Sequence, residues 1–336
     1  MLELRSTLEG LAPDDVDALA IDPMAAGCCD RLRQLEDDRL WSVTYVVDER
    51  EGRLVSVLPL YTSRARAWSD SLMDPARWGL EPATPADVVL AGAPRFFHSS
   101  LRVARVEGDA VLADTLAAAR KFAGPRAILL PHYAPDDVAR LRALLPEATW
   151  APSVPHCDIT GLRDPDWEST LTSKRRRERH HDQRLIEAAG LRAQWSPWHD
   201  PDGAYARLFV EHQARLGTSD HEALVRRRYE QWDACPSVEL LMLTAWRGEN
   251  LLGVQSALRW RGELMMYEIA LTGMPGDVRL ATYALLISDA PVLFAQSEGL
   301  DTIRMGIMNQ EPKLHRGAVA TPRHYGVIAP SDREIT

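Results

Sequence analysis

Residues 41–61, WSVTYVVDEREGRLVSVLPLY, hold two apolar runs on either side of DEREG, which predicts strand, charged turn, strand. ADTLAAARKFAGPRAILLP (113–131) predicts a helix that stops at glycine, then a buried strand. APDDVARLRALLP (134–146) predicts another helix, with Asp136 or Asp137 near its start. The second half shows the same order. SVELLMLTAWRGENLLGVQSALRWRGELMMYEIAL (237–271) predicts three antiparallel strands with turns at RGEN and RGE. LATYALLISDAPVLFAQSEG (280–299) predicts a helix kinked or broken at Pro291, and LDTIRMGI (300–307) a strand. A strand hairpin, a helix and a strand thus recur in each half, the pattern of an internal duplication. Between them, WAPSVPHCDITGLRDPDW (150–167) carries Pro152, Pro155, Gly161 and Pro165 and reads as the join. Residues 167–235 read as helical, in three segments: 173–190, 202–217 and 221–234.

The chain has 336 residues, 46% apolar and 26% charged, which suits two domains, each with its own core. The expected units are 1–150 and 151–336. The net charge of −9 excludes a general nucleic-acid coat, whose whole surface would be basic, but permits a local basic patch. Four cysteines, two of them adjacent and none in a CxxC pair, fit a reducing compartment. The N-terminus MLELRSTLEGLAPDD has no apolar core of a signal peptide, and no stretch reads as a bilayer span, so the expectation is cytoplasmic with no membrane partner. No HExxH or HxxxH pairing occurs among the histidines, so no metal is expected.

SKRRRERHHDQRLIEAAG (173–190) departs most from the acidic background. Residues 174–184 contain six Lys/Arg against two acids. On a helix, Lys174, Arg177, His181 and Arg184 share one face, with Arg175 and Arg179 beside it. Ion pairs with Glu178 and Asp182 would occupy part of this charge, at about 0.3–0.5 kcal/mol each on a surface. The remainder predicts an anion site, either a phosphorylated cofactor or an RNA backbone.

That helix, followed by further helices, three antiparallel strands, a helix and a strand, resembles the GNAT-superfamily branch that includes the CelD-like acetyltransferases and the Fem-type aminoacyltransferases. In that branch a helix beginning Ser-Lys with several arginines and ending near Ala-Gly opens the second GNAT-like unit. MGIMNQEPKLHRGA (305–318) is similar to the segment that closes it. The resemblance covers about 155–328, and the first 150 residues enter through the repeat. It implies an α/β (α+β) fold of two tandem GNAT-like units, each a mixed, mainly antiparallel sheet flanked by helices.

CoA-using members carry an Arg/Gln-x-x-Gly-x-Gly/Ala loop after the fourth strand. TGMPGDVRLATYALL (272–286) stands there instead, where Pro275 lacks a donor, Asp277 opposes a pyrophosphate and Arg279 partly compensates. Fem-type enzymes take an aminoacyl group from tRNA and do without that loop. The resemblance therefore implies transfer of an aminoacyl group from aminoacyl-tRNA to a small-molecule amine, with no cofactor required. Two alternatives remain: an acetyl-CoA-dependent N-acyltransferase and a silent RNA- or partner-binding module. It also implies Lys313 near the reacting centre and Glu268, on the likely fourth strand, as a general base. Tyr267, Arg279, Asn309 and His315 would join Lys174, Arg175, Arg177 and His181 in binding substrate. Alternation along MMYEIAL places Met266, Glu268 and Ala270 on one face, Tyr267 and Ile269 on the other.

Overall fold

The computed structural model describes residues 1–68, 70–92, 98–104, 108–200, 202–217 and 220–330, in two compact units. The first holds Met1–Pro155 together with the chain from Pro322, and the second is His156–Thr321. The first contains β1 (Leu2–Arg5), α1 (Pro13–Ala18), α2 (Cys29–Gln34), β2 (Trp41–Arg50), β3 (Arg53–Ser63), β4 (Val88–Ala91), α3 (Gly108–Ala123), β5 (Ala127–Tyr133), α4 (Pro135–Leu144) and β6 (Thr149–Pro152). The second contains β7 (His156–Ile159), α5 (Trp167–Thr170), α6 (Ser173–Ala188), β8 (Leu191–Pro197), α7 (Ala204–Arg215), α8 (Glu222–Asp233), β9 (Glu239–Arg247), β10 (Asn250–Trp260), β11 (Glu263–Leu271), α9 (Gly276–Ala284), α10 (Ala290–Ser297), β12 (Thr302–Arg304), α11 (Gln310–His315) and β13 (Val319–Thr321). A last strand, β14 (His324–Ile328), belongs to the first unit.

Each unit is built on a seven-stranded sheet. The orders are β1-β2-β3-β4-β5-β14-β6 and β8-β9-β10-β11-β12-β7-β13, and they correspond strand for strand. β4 and β5 are parallel, as are β11 and β12; β14 and β7 each run antiparallel to both neighbours. The repeat is thus present in the topology, with one exchange. The strand following β6 serves the second sheet, and the strand following β13 serves the first. This corrects the expected second unit of 151–336, because β14 hydrogen-bonds with β5 and β6, and β6 itself lies in the first sheet.

Local chemistry accounts for most elements. Val111, Leu112, Thr115, Leu116, Ala119 and Ala123 form the buried stripe of α3, and Gly124 ends the helix at φ 59°. β4 is buried at every position, as a central strand covered on both faces requires. Residues 167–235 are not helical throughout, since β8 runs through 191–197 on the open edge of the second sheet, mostly exposed. The break before Pro291 is a π-helical turn over Leu285–Asp289, which accommodates a residue without a backbone donor. Gly276–Ser297 is long and apolar enough to cross a membrane by length and composition, against the expectation of no such stretch. In this fold Ala281, Ala284, Leu285, Leu286 and Ala290 of that stretch are buried in the core of the second unit.

Candidate active site

β11 and β12 pair only through Glu263–Met265. Beyond that point the sheet forks. A cleft of about 400 Å3 is lined here by His212 and Leu216 from the end of α7, Ile269 and Leu271 of β11, Gly276, Arg279, Leu280 and Tyr283 of α9, and Asn309. Its walls are largely apolar, with a cation, an imidazole and an amide among them. Arg279 and Asn309, both expected to bind substrate, meet here. Asn309 precedes α11 at φ 52°, a left-handed backbone that asparagine tolerates. α7 caps the end of β11: Leu271 N–H donates to His212 Nδ1 at 3.4 Å, and an Arg215 Nη donates to the Leu271 carbonyl.

Opposite the fork, β10 and β11 carry a bulge in which Ser256 alone faces both Tyr267 and Glu268. The Glu268 N–H donates to Ser256 Oγ at 3.0 Å, and Ser256 Oγ–H reaches the Glu268 carbonyl at 3.3 Å. This overturns the simple alternation. Met266 joins the core with Val292 and Ala295, while Tyr267 and Glu268 both turn to α8. The Glu268 carboxylate accepts from Tyr229 Oη at 2.7 Å and pairs with Arg228 at 3.1 Å, and Arg228 also pairs with Asp220 at 3.0 Å. The Glu268 side chain is 19% exposed. Burial raises its pKa, while Arg228 and the Tyr229 hydroxyl hold it down. Tyr267 packs edge-on against Tyr229 and Trp232, with ring centroids 6.3 and 5.7 Å apart.

Lys313 does not line the cleft. It is 5% exposed, and Nζ donates to the Met305 carbonyl at 2.6 Å. Burial lowers its pKa to about 8, against the opposing pull of Cys157 and Asp158. His315 lies in the last turn of α11, half-buried. The ammonium therefore braces the end of β12, on the same short helix that begins beside Asn309 in the cleft.

The basic helix divides its charge between two faces. Inward, Arg175 donates to the Ala318 carbonyl at 3.3 Å, and Arg179 donates to Ser288 Oγ at 3.1 Å above the Trp167 ring. Asp182 pairs with Arg316 at 2.7 Å, and Ile186 enters the core against Ala281 and Ala284. Arg175, expected to bind substrate, is half-buried and reaches with its guanidinium into the closing loop. Outward, Lys174, Arg177, His181 and Arg184 are all exposed, and among the described residues none of the four makes an ion pair. They line no cleft.

The sequence reading passed over His212, Arg228 and Tyr229. His212 had a signal: it follows Leu208 and Phe209 on the apolar face of an amphipathic helix, where a polar ring is unusual. Tyr229 sits inside RRRYEQW, where only the fold shows it turned inward.

No protein-family model matches the sequence, and no curated protein does. Solved structures do match. The chain aligns with FemX at a TM-score of 0.64 and 11% identity, over 96% of each chain. It aligns with a tandem GNAT protein from the clavulanic acid biosynthesis pathway at 0.54 and 14%, over 99% of this chain and 100% of that one. L-PGS from Bacillus licheniformis matches at 0.52 and 10%, over 87% and 85%. These likenesses concern the fold, and they extend across both units. The chain adopts a fold like that of FemX and of the tandem GNAT protein, in two tandem units.

Proposed function

We propose that the protein is an acyltransferase that takes an aminoacyl group from aminoacyl-tRNA and passes it to a small-molecule amine. The outer face of α6 carries this reading. From Lys174 to Arg184 the helix rises about 15 Å, and the three cations and one imidazole along it have no ion-pair partners among the described residues. An open cationic row suits a long phosphate backbone, whereas a small anion would need enclosing walls. The inner face of α6 packs on α9, which also lines the cleft, so row and cleft belong to one rigid assembly of helices. The acyl end of the donor occupies the cleft. The amine approaches from the α8 side, where Glu268 accepts its proton; Glu268 and cleft-lining Ile269 are consecutive on β11.

A second reading, acetyl-CoA as donor, is favoured by Gly276 and Arg279: the N-terminal end of α9 opens into the cleft with an arginine beside it, a setting that stabilises a diphosphate.

Incubation with charged total tRNA or with acetyl-CoA, plus a panel of small primary amines, distinguishes the two by the mass of the amide formed. Binding of charged tRNA should weaken steeply with salt, with a log–log slope of about −0.7 to −0.9 per phosphate contact. The triple variant Lys174→Ala, Arg177→Ala, Arg184→Ala should flatten that slope by about two contacts. An unchanged slope, or amide formed from acetyl-CoA alone, overturns the tRNA reading.

A further inference from the structure

We propose that His212 is a catalytic residue: its Nε2–H donates a hydrogen bond to the carbonyl oxygen of the acyl group in the cleft and holds the negative charge that develops there. The proposal rests on the acyltransferase reading of the cleft.

The ring is oriented by its other nitrogen. Nδ1 faces two N–H donors, the Leu271 amide at 3.4 Å and Arg215 Nη2 at 3.4 Å, and a guanidinium cannot accept. Nδ1 must therefore present its lone pair, so the neutral ring carries its proton on Nε2. Nε2 has no partner among the described residues, and the side chain, 9% exposed, lines the cleft. Burial lowers the pKa of His212, and the neighbouring Arg215 and Arg279 lower it further against the opposing pull of the Leu271 backbone, so the neutral ring is favoured. A ring already protonated at Nε2 cannot serve there as a base. It is a donor held in place before the reaction, within apolar walls where a hydrogen bond to developing charge is strongest.

In the transfer, the amine lone pair adds to the acyl carbon and the carbonyl electron pair moves onto oxygen, against Nε2–H. The intermediate collapses, breaking the bond to the carrier oxygen and restoring the carbonyl. The amine nitrogen gives up one proton and the departing oxygen gains one, so an ester and an amine become an amide and an alcohol. His212 keeps its proton throughout.

The test uses the full chain labelled with 15N-histidine. Long-range nitrogen–proton spectra from pH 6 to 8 should show Nδ1 unprotonated and Nε2 protonated, and the Nε2–H signal should shift with whichever of charged tRNA or acetyl-CoA is turned over. His212→Phe should lower turnover by about 100-fold, with donor affinity changed less than about threefold. His212→Gln, which restores an N–H near the Nε2 position, should recover at least about tenfold. A proton on Nδ1, an imidazolium at pH 7, or full turnover in His212→Phe overturns the proposal while the transferase reading stands. Absence of turnover by the wild type with either donor overturns that reading and the proposal with it.

Discussion

At the scale of single residues, moving an ionisable group out of water carries a cost. Lys313 illustrates the cost. Its folded pKa, about 8, lies below the ordinary lysine value of 10.5, so folding disfavours the ammonium. The penalty is fully present below pH 8 and fades as the pH rises from about 8 towards 10.5. Relative to Lys313→Met, the wild type should therefore gain about 1–3 kcal/mol of unfolding free energy across that window. Denaturant titrations at pH 7 and pH 10 measure it, and an unchanged difference would show that the ammonium is not penalised. Motif resemblance made Lys313 and Glu268 visible in the sequence. It could not reveal His212, because the cleft is assembled from α7, β11, α9 and Asn309, segments up to about a hundred residues apart. Nor could it show which arginines of the basic helix are engaged. Helical spacing grouped Lys174, Arg177, His181 and Arg184 on one face, and the structure agrees. Only the packed structure shows that Arg175 turns to the closing loop and Arg179 to Ser288 and Trp167.

Among elements, the bulge between β10 and β11 has the largest consequence for chemistry. An unbroken alternation would send Tyr267 and Glu268 to opposite faces. Ser256 binds both backbone groups of Glu268, so both side chains turn to α8. Ser256→Ala should cost about 1–2 kcal/mol, the scale of a buried hydrogen bond with an unpaired partner left behind. It should also depress turnover more than donor binding, because the carboxylate loses its aim; equal losses in both would argue for a general packing defect. The hairpins, α3, α4 and the three central strands of the second unit were legible because apolar runs and turn residues agree there. β8 was not, because an exposed edge strand has no apolar run to announce it, and its alternation is brief. The bulge was not legible either, since nothing in SALRW or MMYEI marks an extra residue.

For the whole molecule, the matching strand orders show a duplicated unit whose copies traded their last strand. The second unit is one continuous segment, His156–Thr321, while the first needs β14 from beyond it. A chain truncated after Thr321 should keep the cooperative melting of the second unit and lose that of the first, as read by calorimetry or by amide protection resolved along the sequence. Survival of both transitions would mean that β14 is dispensable.

The traded strand also sets an order of events at the ribosome. When β6 has emerged, the first sheet still has a vacancy, and some 170 further residues must be synthesised before its rightful occupant appears. The next strand to arrive is β7, of the same antiparallel orientation, so the nascent sheet is offered the wrong strand first. Because β14 lies beyond the whole of the second unit, the first sheet can be completed only after every strand of the second has been synthesised.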